Sequence, residues 1–152
     1  MADATNSVRL HRVLRAPPAR VYKAFVDPDA LARWIPPYGF LGQVHEFDPK
    51  VGGGYRMSFI NFGTGHSHSF ACKFVELTPH ETIRYTDTFD DPNLPGEMSV
   101  TVTLRQVICG TELNVLQEGI PAVIPTEMCY LGWQESLDQL ARLVEPNIPD
   151  GQ

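Results

Sequence analysis

From residue 43 to residue 119 the chain alternates apolar with polar positions. A period of two marks strands with one buried face. The clearest run is EMSVTVTLRQV (97–107), where Met98, Val100, Val102 and Leu104 oppose Ser99, Thr101, Thr103 and Arg105. Further runs cover 43–48, 55–62, 68–77, 82–89 and 111–119. Within them Tyr55, Met57 and Phe59 share a face, as do Phe70, Cys72 and Phe74, and Ile83 and Tyr85. A weaker alternation over 8–16 adds a first strand. The connections are short, which predicts an antiparallel meander.

The period changes twice. In PPARVYKAFVDPDALARWIPP (17–37), Val21, Ala24 and Phe25 recur at helical spacing, and Pro17 and Pro18 suit a helix start. Asp27 is placed to cap a second short helix with Pro28 in its first turn. Leu31, Trp34 and Ile35 mark that helix's buried face, and Pro36 and Pro37 stop it. Near residue 125 a long helix begins and runs to about 145. Tyr130, Trp133, Leu137, Leu140, Ala141 and Val144 form its apolar stripe. The order is strand, two short helices, six strands, long helix. A sheet with one face to bury and a helix with one stripe to bury satisfy each other by packing together, which is an α+β arrangement. The expected organisation is a flexible start over 1–7, one domain over 8–145 and a tail over 146–152.

Composition fits that picture. The 152 residues suffice for one domain that buries roughly 70% of its unfolded surface without a staple. A net charge of −6 argues against general nucleic-acid binding. The charge is uneven: residues 1–60 carry eight Lys/Arg and five Asp/Glu, residues 61–152 four and thirteen. The three cysteines, Cys72, Cys109 and Cys129, form no Cys-x-x-Cys pair, so neither a disulfide framework nor a zinc ribbon is indicated. The opening MADATNSV lacks the apolar core of a secretory signal, and no run is long enough to span a membrane. A cytoplasmic protein with reduced thiols is expected.

Three motifs invite chemistry. DPKVGGG (48–54) has neither the lysine nor the following helix of a phosphate-binding loop. Its glycines read as a tight turn that launches the 55–62 strand. His66 and His68 sit in GTGHSHS, which reads as a solvent-facing hairpin turn; two ligands do not make a metal site, and none is predicted. Cys72 and Cys129 fall on apolar faces, as inert core thiols do. Asp87, Asp90, Asp91 and Glu97 cluster around a turn and read mostly as solvated carboxylates. Asp87 shares the parity of Ile83 and Tyr85, which leaves open the alternative of an inward acid near the cavity mouth, the setting of a general base.

Several segments together resemble the START-like (Bet v 1-like, SRPBCC) superfamily, in the branch related to the C-terminal domain of the Hsp90 ATPase activator. They are APPARVYKAFVDPDALARW (16–34), FDPKVGGGYRM (47–57), KFVELTP (73–79) with IRYT (83–86), and LGWQESLDQLARLVE (131–145). The resemblance implies a helix-grip fold: a curved seven-stranded antiparallel sheet around the C-terminal helix, two short helices after strand 1, and an apolar cavity between sheet and helix. Relatives often carry a small residue near Ser69 and Cys72, where this chain has Phe70, so the cavity is expected to be narrower.

The aromatics and methionines near the predicted inner surface become the candidate ligand site. They are Trp34, Tyr38, Phe40, Tyr55, Phe59, Phe70, Phe74, Tyr85 and Trp133, with Met57, Met98 and Met128. Tyr55, Tyr85, Gln117 and Asn61 supply polar groups. The alternative is that these side chains simply fill a core. Three functions stay open: binding of a small apolar or aromatic ligand, acid/base catalysis with cavity Tyr, Asp or Gln, and an Hsp90-activator-like interaction module. A small-molecule ligand is the expected partner, a protein partner or homodimer stays open, and no cofactor is called for.

Overall fold

The structure, a computed structural model, describes residues 6–150. The order is β1 (Val8–Leu14), α1 (Pro18–Phe25), α2 (Pro28–Trp34), β2 (Phe40–Phe47), β3 (Gly54–Asn61), β4 (Ser67–Thr78), β5 (Thr82–Phe89), β6 (Met98–Val107), β7 (Gly110–Glu118) and α3 (Thr126–Val144). The strands form a single antiparallel sheet in the order β1-β7-β6-β5-β4-β3-β2. Consecutive strands pair as hairpins from β2 to β7, and β1 closes the far edge against β7. This is the α+β helix-grip architecture that the resemblance implied. β2 begins three residues before the expected 43, because Phe40, Leu41 and Gly42 continue the ladder against Asn61, Ile60 and Phe59. Register shifts at Val44/Glu46 and Phe74/Glu76 mark bulges, which add local bend and twist to a sheet that must curve around a helix.

Residues 1–5 and 151–152, parts of the expected flexible start and tail, lie outside the described residues. Asn6 is tied in: its carbonyl accepts from the Ile120 N–H at 3.1 Å.

The local signals act as their chemistry requires. The Asp27 carboxylate caps α2, accepting from the N–H groups of Asp29 at 2.9 Å and Ala30 at 3.1 Å. The Gly52–Gly54 stretch is a turn between β2 and β3, with Gly52 at φ +89°. Its N–H groups are spent internally, Gly52 on the Phe74 carbonyl at 3.0 Å and Gly53 on that of Lys50 at 2.8 Å. A Cβ on Gly54 would stand 1.9 Å from the Cys72 carbonyl oxygen, so strand contact requires glycine there.

The core divides along α3. Leu137, Leu140 and Val144 are buried, and the helix packs against β1, α1 and α2 at this end. Gln139 Nε2 donates to the carbonyls of Trp34 at 3.0 Å and Pro36 at 2.5 Å, and Ser136 Oγ donates to that of Ile35 at 2.6 Å, strapping α2's end to α3. Two residues of the expected stripe depart. Tyr130 is 41% exposed and lies outside the cavity lining, and Trp133 is only half-buried because it borders open space.

Candidate functional site

That open space is a cavity of about 690 Å³ between the concave face of the sheet and the N-terminal half of α3. It exists because α3 turns small residues toward the sheet. Cys129, Gly132 and Ser136 line it, and Trp133 is the large side chain among them. The opposite wall is built by strand parity: Tyr55 and Phe59 from β3, Phe70 and Cys72 from β4, Tyr85, Asp87 and Phe89 from β5, Met98 from β6 and Gln117 from β7.

The polar groups form two linked sets. Across the sheet, Tyr55, Cys72, Asp87 and Met98 are direct neighbours in register. The Tyr55 hydroxyl, the Cys72 thiol and the Asp87 carboxyl lie close enough to perturb one another's ionisation. Toward the helix, Trp133 Nε1 donates to Gln117 Oε1 at 3.0 Å, and Gln117 Nε2 donates to the Met98 sulfur at 3.4 Å. These bonds fix the Gln117 amide and orient the indole over the cavity.

Asp87 is the exceptional group. The residue is half-buried overall, but its Oδ1 is shut off from solvent and lacks a hydrogen-bond partner, the only such buried side-chain atom among the described residues. Burial disfavours the carboxylate and raises its pKa to about 7, against a smaller lowering by the Cys72 thiol. Burial likewise pushes the Cys72 thiol well up, with the Asp87 charge adding to it. Tyr55 and Tyr85 are raised well above the ordinary phenol by burial first, then by Cys72 and Asp87. At neutral pH the site thus holds one carboxyl poised between its two forms, among phenols and thiols that stay protonated.

The expected site residues separate into two groups. Tyr55, Phe59, Phe70, Tyr85, Met98, Gln117 and Trp133 meet around the cavity. The others lie elsewhere. Trp34, at 0% exposure, is sealed beneath the wall, with its indole N–H on the Ala24 carbonyl at 2.8 Å and its ring edge-on to Phe25. Met57 is equally buried but points toward Gly42 and α2, where the chain needs its bulk. Phe74 packs under the floor, its ring 5.9 Å from Tyr55 and 6.4 Å from Tyr85. Phe40 stands behind Phe59 at 6.2 Å. Tyr38 is 50% exposed, with its hydroxyl on Asp138 at 3.1 Å, and Met128 is 65% exposed on the outer side of α3. Asn61 folds its side chain back onto the N–H groups of Gly63 and Thr64.

Other residues, outside the expected set, also line the cavity. Ile35, Pro37, Phe89, Leu94 and the small face of α3 complete the wall. Parity flagged Cys72 as inward, but only register brings it between Tyr55 and Asp87. His68 lies in β4, within the strand expected from residue 68, and is exposed at the cavity rim, while His66 precedes β4 and is exposed too. Among the described residues no cluster of three His, Cys, Asp or Glu side chains is placed to hold a metal, and no helix is long and apolar enough to cross a membrane.

A curved sheet gripping a long helix, with a cavity between them, defines the START-like class. The family model described as Activator of Hsp90 ATPase homolog 1-like protein matches residues 15–145, and the chain belongs to that family. A solved structure from Chromobacterium violaceum is similar at 58% identity, with a TM-score of 0.92, over 93% of this chain and 99% of that one. A Nitrosomonas europaea protein at 22% identity, covering 95% and 97% of the two chains with a TM-score of 0.79, shares the fold. So does one from Rhodobacter sphaeroides at 21%, covering 93% of each chain with a TM-score of 0.81. No curated protein matches the chain.

Proposed function

We propose that the protein binds a small, largely apolar or aromatic ligand in the cavity between the sheet and α3. The observation that supports this most is the cavity's construction. Its volume of about 690 Å³ lies within the range of small-molecule sites, and aromatic walls surround a few converging polar groups. Oriented Gln117 and unpartnered Asp87 are the groups to fix a ligand's polar end. The three free cysteines fit a reducing, cytoplasmic setting.

The test is mass spectrometry of small molecules that co-purify with the protein, combined with binding of an apolar fluorescent probe. A stoichiometric small molecule that displaces the probe is the expected result. A protein that captures neither ligand nor probe would refute the reading. A protein-partner role, of the kind the family description evokes, leaves the cavity unfilled in that experiment.

Asp87 supports a second reading, general acid/base catalysis, because a carboxyl with a pKa of about 7 both gives and takes protons at neutrality. Incubation with the recovered ligand in deuterated water is the check. Exchange at a carbon, with a pH inflection near 7 that Asp87→Asn removes, is expected of an enzyme; an unlabelled, unaltered ligand excludes it.

A further inference from the structure

Resting on the cavity as a ligand site, we infer that its occupant is a small organic cation: an apolar, ring-sized body carrying a protonated amine that faces Asp87. Three independent features converge on this chemistry.

The first is the orphaned acceptor. Asp87 Oδ1 is buried without a partner, and an acceptor left so costs stability unless something donates to it. Asp87 lines the cavity, so a donor carried by what fills the cavity can engage this carboxyl. The second feature is the sign of the lining. Asp87, Asp90 and Asp91 all border the cavity, whereas no Lys or Arg does. The nearby Arg56 guanidinium is paired with Asp90. A carboxylate or phosphate ligand would therefore meet Asp87 and Asp91 with no free counter-charge, while a cation meets attraction. The third feature is the π-surface. Tyr55, Phe59, Phe70, Tyr85, Phe89 and Trp133 supply ring faces and edges, which suit an apolar body and stabilise an adjacent cation. A neutral alcohol satisfies Oδ1 but gains nothing from the charge.

The pH dependence follows from the groups around Asp87. Tyr55 faces it from β3, His68 and Cys72 from β4, Tyr85 from its own strand, Met98 and Gln117 from β6 and β7, Cys129 and Trp133 from α3, and Asp90 and Asp91 from the loop after β5. Burial keeps the phenols Tyr55 and Tyr85 and the thiols Cys72 and Cys129 in their neutral forms. Asp87 passes from mostly carboxylic acid to mostly carboxylate between pH 6 and 8. An aliphatic amine stays protonated over that window, so its affinity rises about tenfold as Asp87 ionises.

The experiment titrates the full chain calorimetrically with three ligands of one shape: 1-naphthylmethylamine, 1-naphthylmethanol and 1-naphthoate. At pH 8 the amine is expected to bind at least about tenfold tighter than the alcohol, with naphthoate weakest, and the gap narrows at pH 6. In Asp87→Asn, checked for folding by thermal melting, amine and alcohol affinities converge. In His68→Gln the amine preference keeps its pH dependence, which separates the carboxyl from the rim histidine. If the alcohol equals the amine at pH 8, if naphthoate binds best, or if the preference survives Asp87→Asn, the cation assignment is wrong and the cavity reading stands. If none of the three binds, the cavity reading itself falls and takes this inference with it.

Discussion

The two halves of α3 face the same sheet and do opposite things. From Ser136 to Val144 the helix turns Leu137, Leu140 and Val144 into a dry contact, closed by Gln139 and Ser136 bonds to the end of α2. From Cys129 to Trp133 it presents a thiol, a bare glycine and one indole, and the sheet opposite recedes into a cavity. The contrast lies in side-chain volume. Large aliphatics on one half fill the space between helix and sheet, while small residues on the other leave it. Stability and binding are thereby assigned to different ends of one element.

The largest effect should separate those ends. Leu140→Ala is expected to cost about 2–5 kcal/mol in urea unfolding, since Leu140 has 0% exposure and its removal leaves a void in packed surroundings. Trp133→Ala should cost only about 1–2 kcal/mol despite the larger side chain, because the indole is half-buried and borders space that is already open. Equal losses would mean that the open end is as load-sharing as the closed one.

The next effect concerns pH. Asp87 has a folded pKa of about 7, raised above an ordinary carboxyl at 3.8. Below about pH 4 both folded and unfolded states hold the proton, and no penalty arises. As pH rises toward 7 the unfolded chain releases it more readily, so folding stability falls, by roughly 2–4 kcal/mol in all, and levels off above 7. Asp87→Asn removes this term and should be more stable than the parent at pH 8 by a comparable amount, with no such advantage at pH 4. A denaturation series in which the two proteins run parallel across pH would show that water or a counter-ion already relieves the carboxylate.

A smaller effect tests the bare helix face. Nothing lies within 4 Å of where a Gly132 Cβ would stand. Gly132→Ala should therefore stabilise by up to about 1 kcal/mol through helix propensity alone. Gly132→Leu should keep the fold and reduce probe binding sharply, because its side chain projects into the cavity; undiminished binding would place the ligand elsewhere. The smallest expected change lies at the closed end, where Asp27→Ala removes the α2 cap and should cost about 1 kcal/mol without altering probe affinity.

How much of this was legible beforehand depends on the range of the interaction. Asp27 and Pro28 announce α2, and the period-two runs announce β3 to β7, because caps and face alternation are settled within a few residues. Asp87 was only partly legible: its parity with Ile83 and Tyr85 allowed an inward position, but its acidic, turn-rich neighbours read as solvated. Trp34 and Met57 were equally legible as buried, but burial does not say which side of a wall a side chain occupies. His68 was legible as the start of a strand, which begins one residue earlier at Ser67, but its place at the cavity rim was not. Cys129 and Gly132 carried a faint signal, as small residues on the buried face of a helix, but absence of bulk becomes a cavity only when the opposite surface also draws back.

The chain's own pattern therefore determined the elements, their order, the inward faces and the family, since each depends on local conformation or on short-range periodicity. Only the tertiary structure decided that β3, β4 and β5 bring Tyr55, Cys72 and Asp87 into one row, that Trp133 reaches Gln117, and that Asp87 lines the cavity with its Oδ1 buried and without a partner. Those outcomes follow from register and curvature across strands far apart in sequence. A register shift of one residue would turn each of these side chains to the other face while leaving the local pattern unchanged.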